Sequence, residues 1–382
     1  MVKVINFSEV NPISKKQNLI IKNQIFSTIK KKDFILGKSV YEFEKEFSKL
    51  SKIKYSVGCA SGTDALILSL MSLNLKKEDE IIVPGMSYIS TGLSVILNNN
   101  RLVFADIDNT TGLISIEKVA RKLNKKTKVI IPVNLYGQKV NLKKLREVVG
   151  KKITIIEDSA QSIFAYSCYD CSDKNSEKCC KKETNEKYSD ISCYSFYPSK
   201  NLGAYGDAGL IATNDKSAYK KLLALRNLGS IKNNKFTLVG KNSRLDTLQA
   251  VVLKNKIKNV LKWNNARRKI SNIYDRNLRG IEEIKLTKTS PGSSRHLYVI
   301  RTKKRAKLID YLIKKKIMCQ THYSYSLNQI KPFKKLVKSQ KLVNSENWSK
   351  ECLSLPLYPE MKKIQINKIV DEVKKFFKVI NI

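Results

Sequence analysis

Short apolar runs closed by turn residues recur through the first two-thirds of the chain: EIIVPG, LVFADID, KVIIPVNLYG, ITIIEDSAQ, SCYSFYPS and GLIATND. Continuous runs this short, bounded by Gly, Pro, Asn or Asp, read as strands buried on both faces. Between them lie helix-length segments such as TDALILSLMSL and NLKKLREVVG, whose apolar residues recur every three or four positions. The alternation predicts a three-layer α/β/α domain around a mostly parallel sheet. From about Arg244 the pattern changes to a long helical stretch, TLQAVVLKNKIKNVLKWNNARRKISNIYDRNL. An isolated strand, HLYVIRT, a helix, KLIDYLIKKK, and a closing helix near QINKIVDEVKKFF follow. This predicts a large α/β domain over residues 1–250 and a smaller C-terminal α+β domain over 251–382, hinged near 250.

Composition adds exclusions. The 382 residues are 42% hydrophobic, enough for a full-sized core, and 15 Gly with 8 Pro exclude collagen-like and linker-rich chains. Mean hydropathy is −0.32 and every apolar stretch is too short to span a bilayer. The segment MVKVINFSEVNPISKK lacks the order of a signal peptide, so a cytoplasmic protein with no membrane partner is expected. Lys and Arg number 73 against 33 Asp and Glu, a formal net charge of +40. Such a field attracts nucleic acid, acidic membranes or phosphorylated metabolites. The lysines, however, are scattered along the whole chain, without an RGG, RNP or finger pattern. Abundant Lys, Asn and Ile read as the drift of an AT-rich genome, and no nucleic-acid partner is expected.

In open parallel sheets, ligands sit at the carboxyl ends of the strands. Four clusters fall at such points. Ser61-Gly62-Thr63-Asp64-Ala65 precedes an apolar helix and offers N–H groups, a helix dipole and hydroxyls to a phosphate, or is simply a helix cap. Glu157-Asp158-Ser159-Ala160-Gln161 ends a buried strand, where a carboxylate needs a cation or a donor. A protonated pyridine nitrogen would serve; capping the next turn is the alternative. Lys200, in SFYPSKNLG, could form a Schiff base if desolvation or cofactor charge lowers its pKa. Gly240-Lys241-Asn242-Ser243-Arg244 can donate to phosphate or carboxylate oxygens, or start an ordinary helix.

Taken in order, these segments resemble the DegT/StrS-type (DegT/DnrJ/EryC/StrS) sugar aminotransferases, a fold type I family that uses pyridoxal phosphate. The resemblance runs from about Phe34 to Leu357 through ILGKSVYEFE, SGTDAL, VPGMSYIST, EDSAQ, SFYPSKNLGAYGDAG, NSRLDTLQA, HLYVIR, THYSYSLNQ and LSLPLYPE. It implies that Lys200 is catalytic, forming the Schiff base with pyridoxal 5'-phosphate and shuttling the proton. By the same resemblance Asp158 pairs with the pyridine nitrogen, Tyr88 stacks on the ring, and Gln161 lies beside it. Gly62, Thr63 and Ser195 hold the phosphate, with Asn242 reaching in from the other subunit of a homodimer with shared active sites. Arg244 meets the phosphate or the carboxylate of the amino donor, and His322 with Tyr323 borders the sugar site. His296, the other histidine, reads as structural.

The chain departs from the family after Gln161. Phe164 stands where a glycine is usual, Tyr325 where a proline is usual, and a Cys-rich insertion over about 167–188 lengthens the next loop. Its Cys168, Cys171, Cys179 and Cys180 could offer thiolates to zinc or iron–sulfur or form a redox-labile disulfide, but the adjacent last pair argues against a metal site and for a plain surface insertion, so no metal is expected. Cys59, Cys193, Cys319 and Cys352 lie in apolar segments and read as small buried hydrophobes. The function expected is transfer of the amino group of L-glutamate to a nucleotide-diphosphate keto-sugar, at C3 in preference to C4. The rivals are a dehydratase of the same family, which would typically lack the lysine, and a basic, non-catalytic nucleic-acid binder.

Overall fold

The computed structural model describes residues 4–10, 13–167, 187–230, 235–337 and 340–380. The expectations placed on Cys168, Cys171, Cys179 and Cys180 lie outside the described residues. Two helices come first, α1 (Lys15–Lys31) and α2 (Lys38–Ser51). The large sheet is built from β1 (Tyr55–Cys59), β2 (Glu80–Pro84), β3 (Arg101–Ala105), β4 (Thr127–Ile130), β5 (Thr154–Asp158), β6 (Ile191–Ser195) and β7 (Gly209–Thr213). Helices α3 (Gly62–Met71), α4 (Ile89–Leu97), α5 (Ile116–Ala120) and α6 (Leu142–Val149) join the first five strands in turn, and α7 (Lys216–Leu225) follows β7.

The sheet order is β1-β7-β6-β5-β4-β2-β3. Strand β7 runs antiparallel to both neighbours, and every other pairing is parallel. Six strands therefore end on one edge, where Cys59, Pro84, Asp158 and Ser195 lie. The six apolar runs read from the sequence are the strands β2 to β7. Strand β1, YSVGC, carries too few large apolar residues to stand out, yet it is held firmly. Glu44 Oε1 accepts from the Gly58 N–H at 2.7 Å and pairs with Arg226, which also donates to the Gly58 carbonyl at 2.8 Å.

The C-terminal part contains α8 (Thr247–Lys256), α9 (Val260–Leu278), β8 (Lys285–Leu286), β9 (Tyr298–Arg301), α10 (Arg305–Lys314), α11 (Lys331–Leu336), α12 (Val343–Glu351), β10 (Cys352–Leu355) and α13 (Lys363–Ile380). The strand within HLYVIRT is not isolated: β9 is the centre of an antiparallel sheet, β10-β9-β8. The neighbours escaped notice because one is two residues long and the other, CLSL, is embedded between a helix and LPLYPE. The long helical stretch is interrupted at Ile257–Asn259 by a tighter 3₁₀ turn. One apolar cluster joins Tyr274, Tyr298, Ile300, Leu308, Leu353 and Phe377, and the near-N-terminal Ile5 belongs to it through a bridge to Ile317. Cys59, Cys193 and Cys352 are buried as expected, whereas Cys319 is partly exposed, at the end of a connection rather than inside a layer. Phe164 adopts φ +51°, a left-handed conformation in which glycine carries no steric penalty. A side chain there costs about 1–3 kcal/mol, offset by packing of its ring against Phe47 at 5.7 Å.

Candidate active site

A cavity of about 460 Å³ opens at the carboxyl edge of the large sheet, between the loops after β1, β2, β5 and β6 and the segment 320–323. Gly62, Thr63, Tyr88, Asp158, Gln161, Ser195, Lys200, His322 and Tyr323 all line it. Asn242 and Arg244 do not. Within this chain Asn242 is exposed and bridges to Asn227, and Arg244 donates to Asn227 Oδ1 at 3.1 Å. The segment they occupy is tied to the cavity by its other residues: Lys241 pairs with Asp64, and Ser243 Oγ donates to Asp64 Oδ2 at 2.7 Å.

The start of α3 is set by Ser61, whose hydroxyl accepts from the Asp64 N–H at 3.1 Å. Its carbonyl accepts from the Ala65 N–H at 2.9 Å. The N–H groups of Gly62 and Thr63 have no partner among the described residues, so they remain available to an anion in the cavity. A Cβ on Gly62 would lie 2.5 Å from Ser195 Cβ, so only glycine lets the helix begin against the end of β6. Thr63 Oγ1 and Ser90 Oγ share a hydrogen bond of 2.7 Å.

Lys200 follows β6 on a turn closed by its own N–H to the Tyr197 carbonyl at 2.8 Å. The turn is fastened beyond it by Asn201, which donates to Asn264 Oδ1 at 2.8 Å and to the Ser294 carbonyl at 3.0 Å. Buried Lys256 donates to the Gly203 carbonyl. Burial lowers the Lys200 amine to about 8, although the Asp158 charge pulls it the other way. At pH 7 roughly a tenth of the amine is therefore uncharged, far more than for an ordinary lysine. Between pH 6 and 8 the rate at which the Lys200 amine condenses with an aldehyde probe such as pyridoxal phosphate is expected to climb up to about tenfold per unit, then level off. A stopped-flow absorbance series checks this, and a rise continuing toward pH 10 contradicts it.

Asp158 ends β5 with 6% of its surface exposed. Its Oδ2 accepts from Thr91 Oγ1 at 3.0 Å and its Oδ1 from the Ala160 N–H at 3.1 Å. It makes no ion pair among the described residues. Burial raises its pKa, while these donors and the Lys200 charge oppose the rise. The preceding Glu157 faces the other way, into a buried set of Lys139 at 2.8 Å, Asn134 at 2.7 Å and Ser192 at 2.9 Å.

Tyr88, 57% exposed, caps α4 at the cavity mouth, and its ring tilts against Tyr323 at 5.7 Å. Gln161 bridges the two halves, accepting from the Tyr136 N–H at 2.7 Å and donating to Tyr323 Oη at 2.9 Å. His322 Nδ1 meets Ser354 Oγ at 2.9 Å, and the ring stacks on Phe7 at 5.6 Å. Burial and the Lys200 charge push its pKa down to about 4, so the imidazole is neutral at pH 7. His296 Nδ1 meets Asn201 Oδ1 at 3.0 Å, and its carbonyl accepts from Arg267 at 3.2 Å. It supports the Lys200 turn and also lines the cavity. The reading of single motifs missed Thr91, which braces Asp158, and the cavity-lining Ser87, Ser90, Asp207 and Gln320. The hydroxyl-rich MSYIST after β2 was the available signal.

The donor set suits pyridoxal phosphate. It combines a half-buried amine of lowered pKa, a buried carboxylate without a cation, two free helix-terminal N–H groups and an aromatic ring at the mouth. Among the described residues, no group of three or more His, Cys, Asp or Glu could hold a metal, and no helix is long and apolar enough to cross a membrane.

Residues 17–374 match the DegT/DnrJ/EryC1/StrS aminotransferase family. A UDP-N-acetyl-3-dehydro-α-D-glucosamine 3-aminotransferase of Acidithiobacillus ferrooxidans is 33% identical, over 90% of this chain and 89% of that protein. A pleiotropic regulatory protein of Geobacillus stearothermophilus is also 33% identical, covering 90% and 91%. Among solved structures, S. venezuelae DesV in complex with a ketimine intermediate superimposes with a TM-score of 0.91, 28% identity and 98% of both chains covered. NtdA from Bacillus subtilis with bound cofactor PMP gives a TM-score of 0.86 at 26% identity, covering 96% and 83%.

Proposed function

The chain belongs to the DegT/DnrJ/EryC1/StrS aminotransferase family, and from that premise we propose that it moves the amino group of L-glutamate to a nucleotide-linked keto-sugar, with C3 favoured over C4. The observation that carries the reading is the pairing, in one cavity, of a lysine of lowered pKa with a buried carboxylate that has no cation. The preference for C3 draws on relatives named for that position, including a dTDP-3-amino-3,6-dideoxy-α-D-galactopyranose transaminase of Aneurinibacillus thermoaerophilus, 31% identical.

Bound pyridoxal phosphate supplies a carbonyl carbon that takes up and gives back the amine, and a ring that draws electrons from the carbon losing its proton. Gly62 and Thr63 N–H groups with Ser195 Oγ would hold its phosphate, and Lys200 Nζ would attach it covalently. Asp158 would keep a proton on the pyridine nitrogen, an arrangement favoured by its lack of any other cation. Tyr88 would cover the ring and exclude water, and Gln161 would lie beside it. Lys200 Nζ, once released, would take the proton from the donor's α-carbon and later deliver a proton to the sugar carbon. His322, uncharged, and Tyr323 would receive the sugar. The excess of positive charge suits a nucleotide diphosphate.

The presence of Lys200 disfavours the dehydratase alternative. Incubation of the loaded protein with nitrogen-15-labelled L-glutamate and the 3-keto form of UDP-N-acetylglucosamine is expected to give a labelled amino sugar and an equal amount of 2-oxoglutarate. Label remaining in glutamate, with the sugar dehydrated instead, would favour the alternative. We take the working unit to be a homodimer with shared active sites, because Asn242 and Arg244 do not line this chain's own cavity. Asn242→Ala is expected to raise the cofactor's dissociation constant about tenfold, as loss of one phosphate contact would. Equilibrium dialysis checks this, and unchanged retention would remove Asn242 from the site.

A further inference from the structure

The wall made by His322 and Tyr323 is gripped from behind by two buried aromatic residues that the proposed chemistry leaves unused. Tyr136 Oη donates to the His322 carbonyl at 2.5 Å and accepts from Trp348 Nε1 at 2.9 Å. Both side chains are buried, and their rings lie 19° from parallel with centroids 6.4 Å apart. The Arg301 guanidinium sits 4.1 Å from the Trp348 ring centroid. Asn109 fixes that guanidinium in turn, accepting at Oδ1 at 2.8 Å and at its carbonyl at 2.6 Å.

Burial drives the Tyr136 phenol far above its ordinary pKa, so it keeps its proton at neutral pH and spends it on His322. The same residue reaches Tyr323 by another route. Its N–H donates to Gln161 Oε1 at 2.7 Å, and Gln161 Nε2 donates to Tyr323 Oη at 2.9 Å. Tyr136 holds φ 62° and ψ 10°, a conformation unfavourable for a residue with a side chain and kept here by contacts on every side.

We propose that Tyr136, backed by Trp348, is the positioning residue for the second substrate: it fixes His322 through its hydroxyl and Tyr323 through its amide. The inference rests on the reading of these two residues as the sugar's wall. Lys200 and Asp158 are held by separate contacts, through Asn201 and Thr91. Loss of the Tyr136 hydroxyl should therefore divide the two half-reactions.

The chain has two histidines, His296 and His322, so imidazole nitrogen–proton spectra of the loaded enzyme report two side chains. In Tyr136→Phe the His322 signals are expected to shift while those of His296, held by Asn201, stay in place. KM for the 3-keto form of UDP-N-acetylglucosamine should rise about tenfold, the effect of one lost buried hydrogen bond, with the glutamate half-reaction within about twofold. Unmoved His322 signals, or equal losses in both half-reactions, would overturn the proposal. If Tyr136→Phe does not fold, Trp348→Phe, which removes the Nε1 donor, should give the same selective His322 shift, and its absence overturns the proposal equally. Wild-type protein that leaves this sugar unaminated would count against the choice of sugar and not against the positioning, which the spectra decide on their own.

Discussion

Lys200→Ala is expected to lower transamination by about 10⁴-fold or more, because in the proposed mechanism one amine both attaches the cofactor and moves the proton. The variant should still bind pyridoxal phosphate, since Gly62, Thr63, Asp158 and Tyr88 line the cavity independently of it. Absorbance should then show the free aldehyde, and borohydride reduction should leave no label on the protein. Removing this cation also affects its neighbours. Its charge is one cause of the low His322 pKa, so that pKa should move upward from about 4 in the variant. A variant with normal turnover, or one labelled at another lysine, would displace Lys200. Lys256 is the comparison to make, because burial lowers its pKa to about 8 as well. It donates to the Gly203 carbonyl and does not line the cavity, so lowered pKa alone does not identify a catalytic amine.

Asp158→Asn is expected to cost about 10³-fold in kcat while leaving the fold intact, a loss comparable to the larger effects seen when one preorganised electrostatic partner is removed. The amide is close to isosteric: its oxygen keeps the Ala160 N–H, and its NH2, in place of the other carboxylate oxygen, can donate to Thr91 Oγ1, which turns from donor to acceptor. What disappears is the negative charge that would keep the ring nitrogen protonated. Steady-state kinetics with L-glutamate, together with the visible spectrum of the bound cofactor, separates this from loss of binding. If kcat falls less than tenfold, Asp158 is a capping residue and the nitrogen has another partner. In the wild type, burial raises the carboxyl pKa and the nearby Lys200 charge opposes it. A pyridinium bound beside it should bring the raised pKa down, so cofactor affinity should fall as pH drops through the Asp158 pKa of the empty cavity.

The sheet was legible because its strands are buried on both faces and so read as unbroken apolar runs; EIIVP and TIIED appear as β2 and β5. Strand β1 was not, since Ser56, Gly58 and Cys59 carry little side chain and its hold comes from Glu44 on the preceding helix and from Arg226, 168 positions away. The reversal of β7 was equally invisible, because GLIAT has no sign of direction. Within the site, local chemistry singled out Gly62, Asp158 and Lys200 only as candidates at strand ends and helix starts, and the fold brings them into one cavity. The bracing was not legible. Tyr136 reaches His322 across 186 positions and Trp348 across 212, and only the fold brings them together. Asn242 and Arg244 show the opposite limit, since their motif was clear and their own chain's cavity does not use them.

Visible absorption of the purified protein loaded with pyridoxal phosphate, before and after L-glutamate and with Lys200→Ala alongside, tests the cofactor, the lysine and the donor together. The prediction is a yellow Schiff-base band in the wild type that bleaches on adding glutamate as 2-oxoglutarate appears, and in the variant only the shorter-wavelength band of the free aldehyde. A Schiff-base band that glutamate leaves unchanged would contradict the donor, and a Schiff-base band that survives in Lys200→Ala would contradict the site.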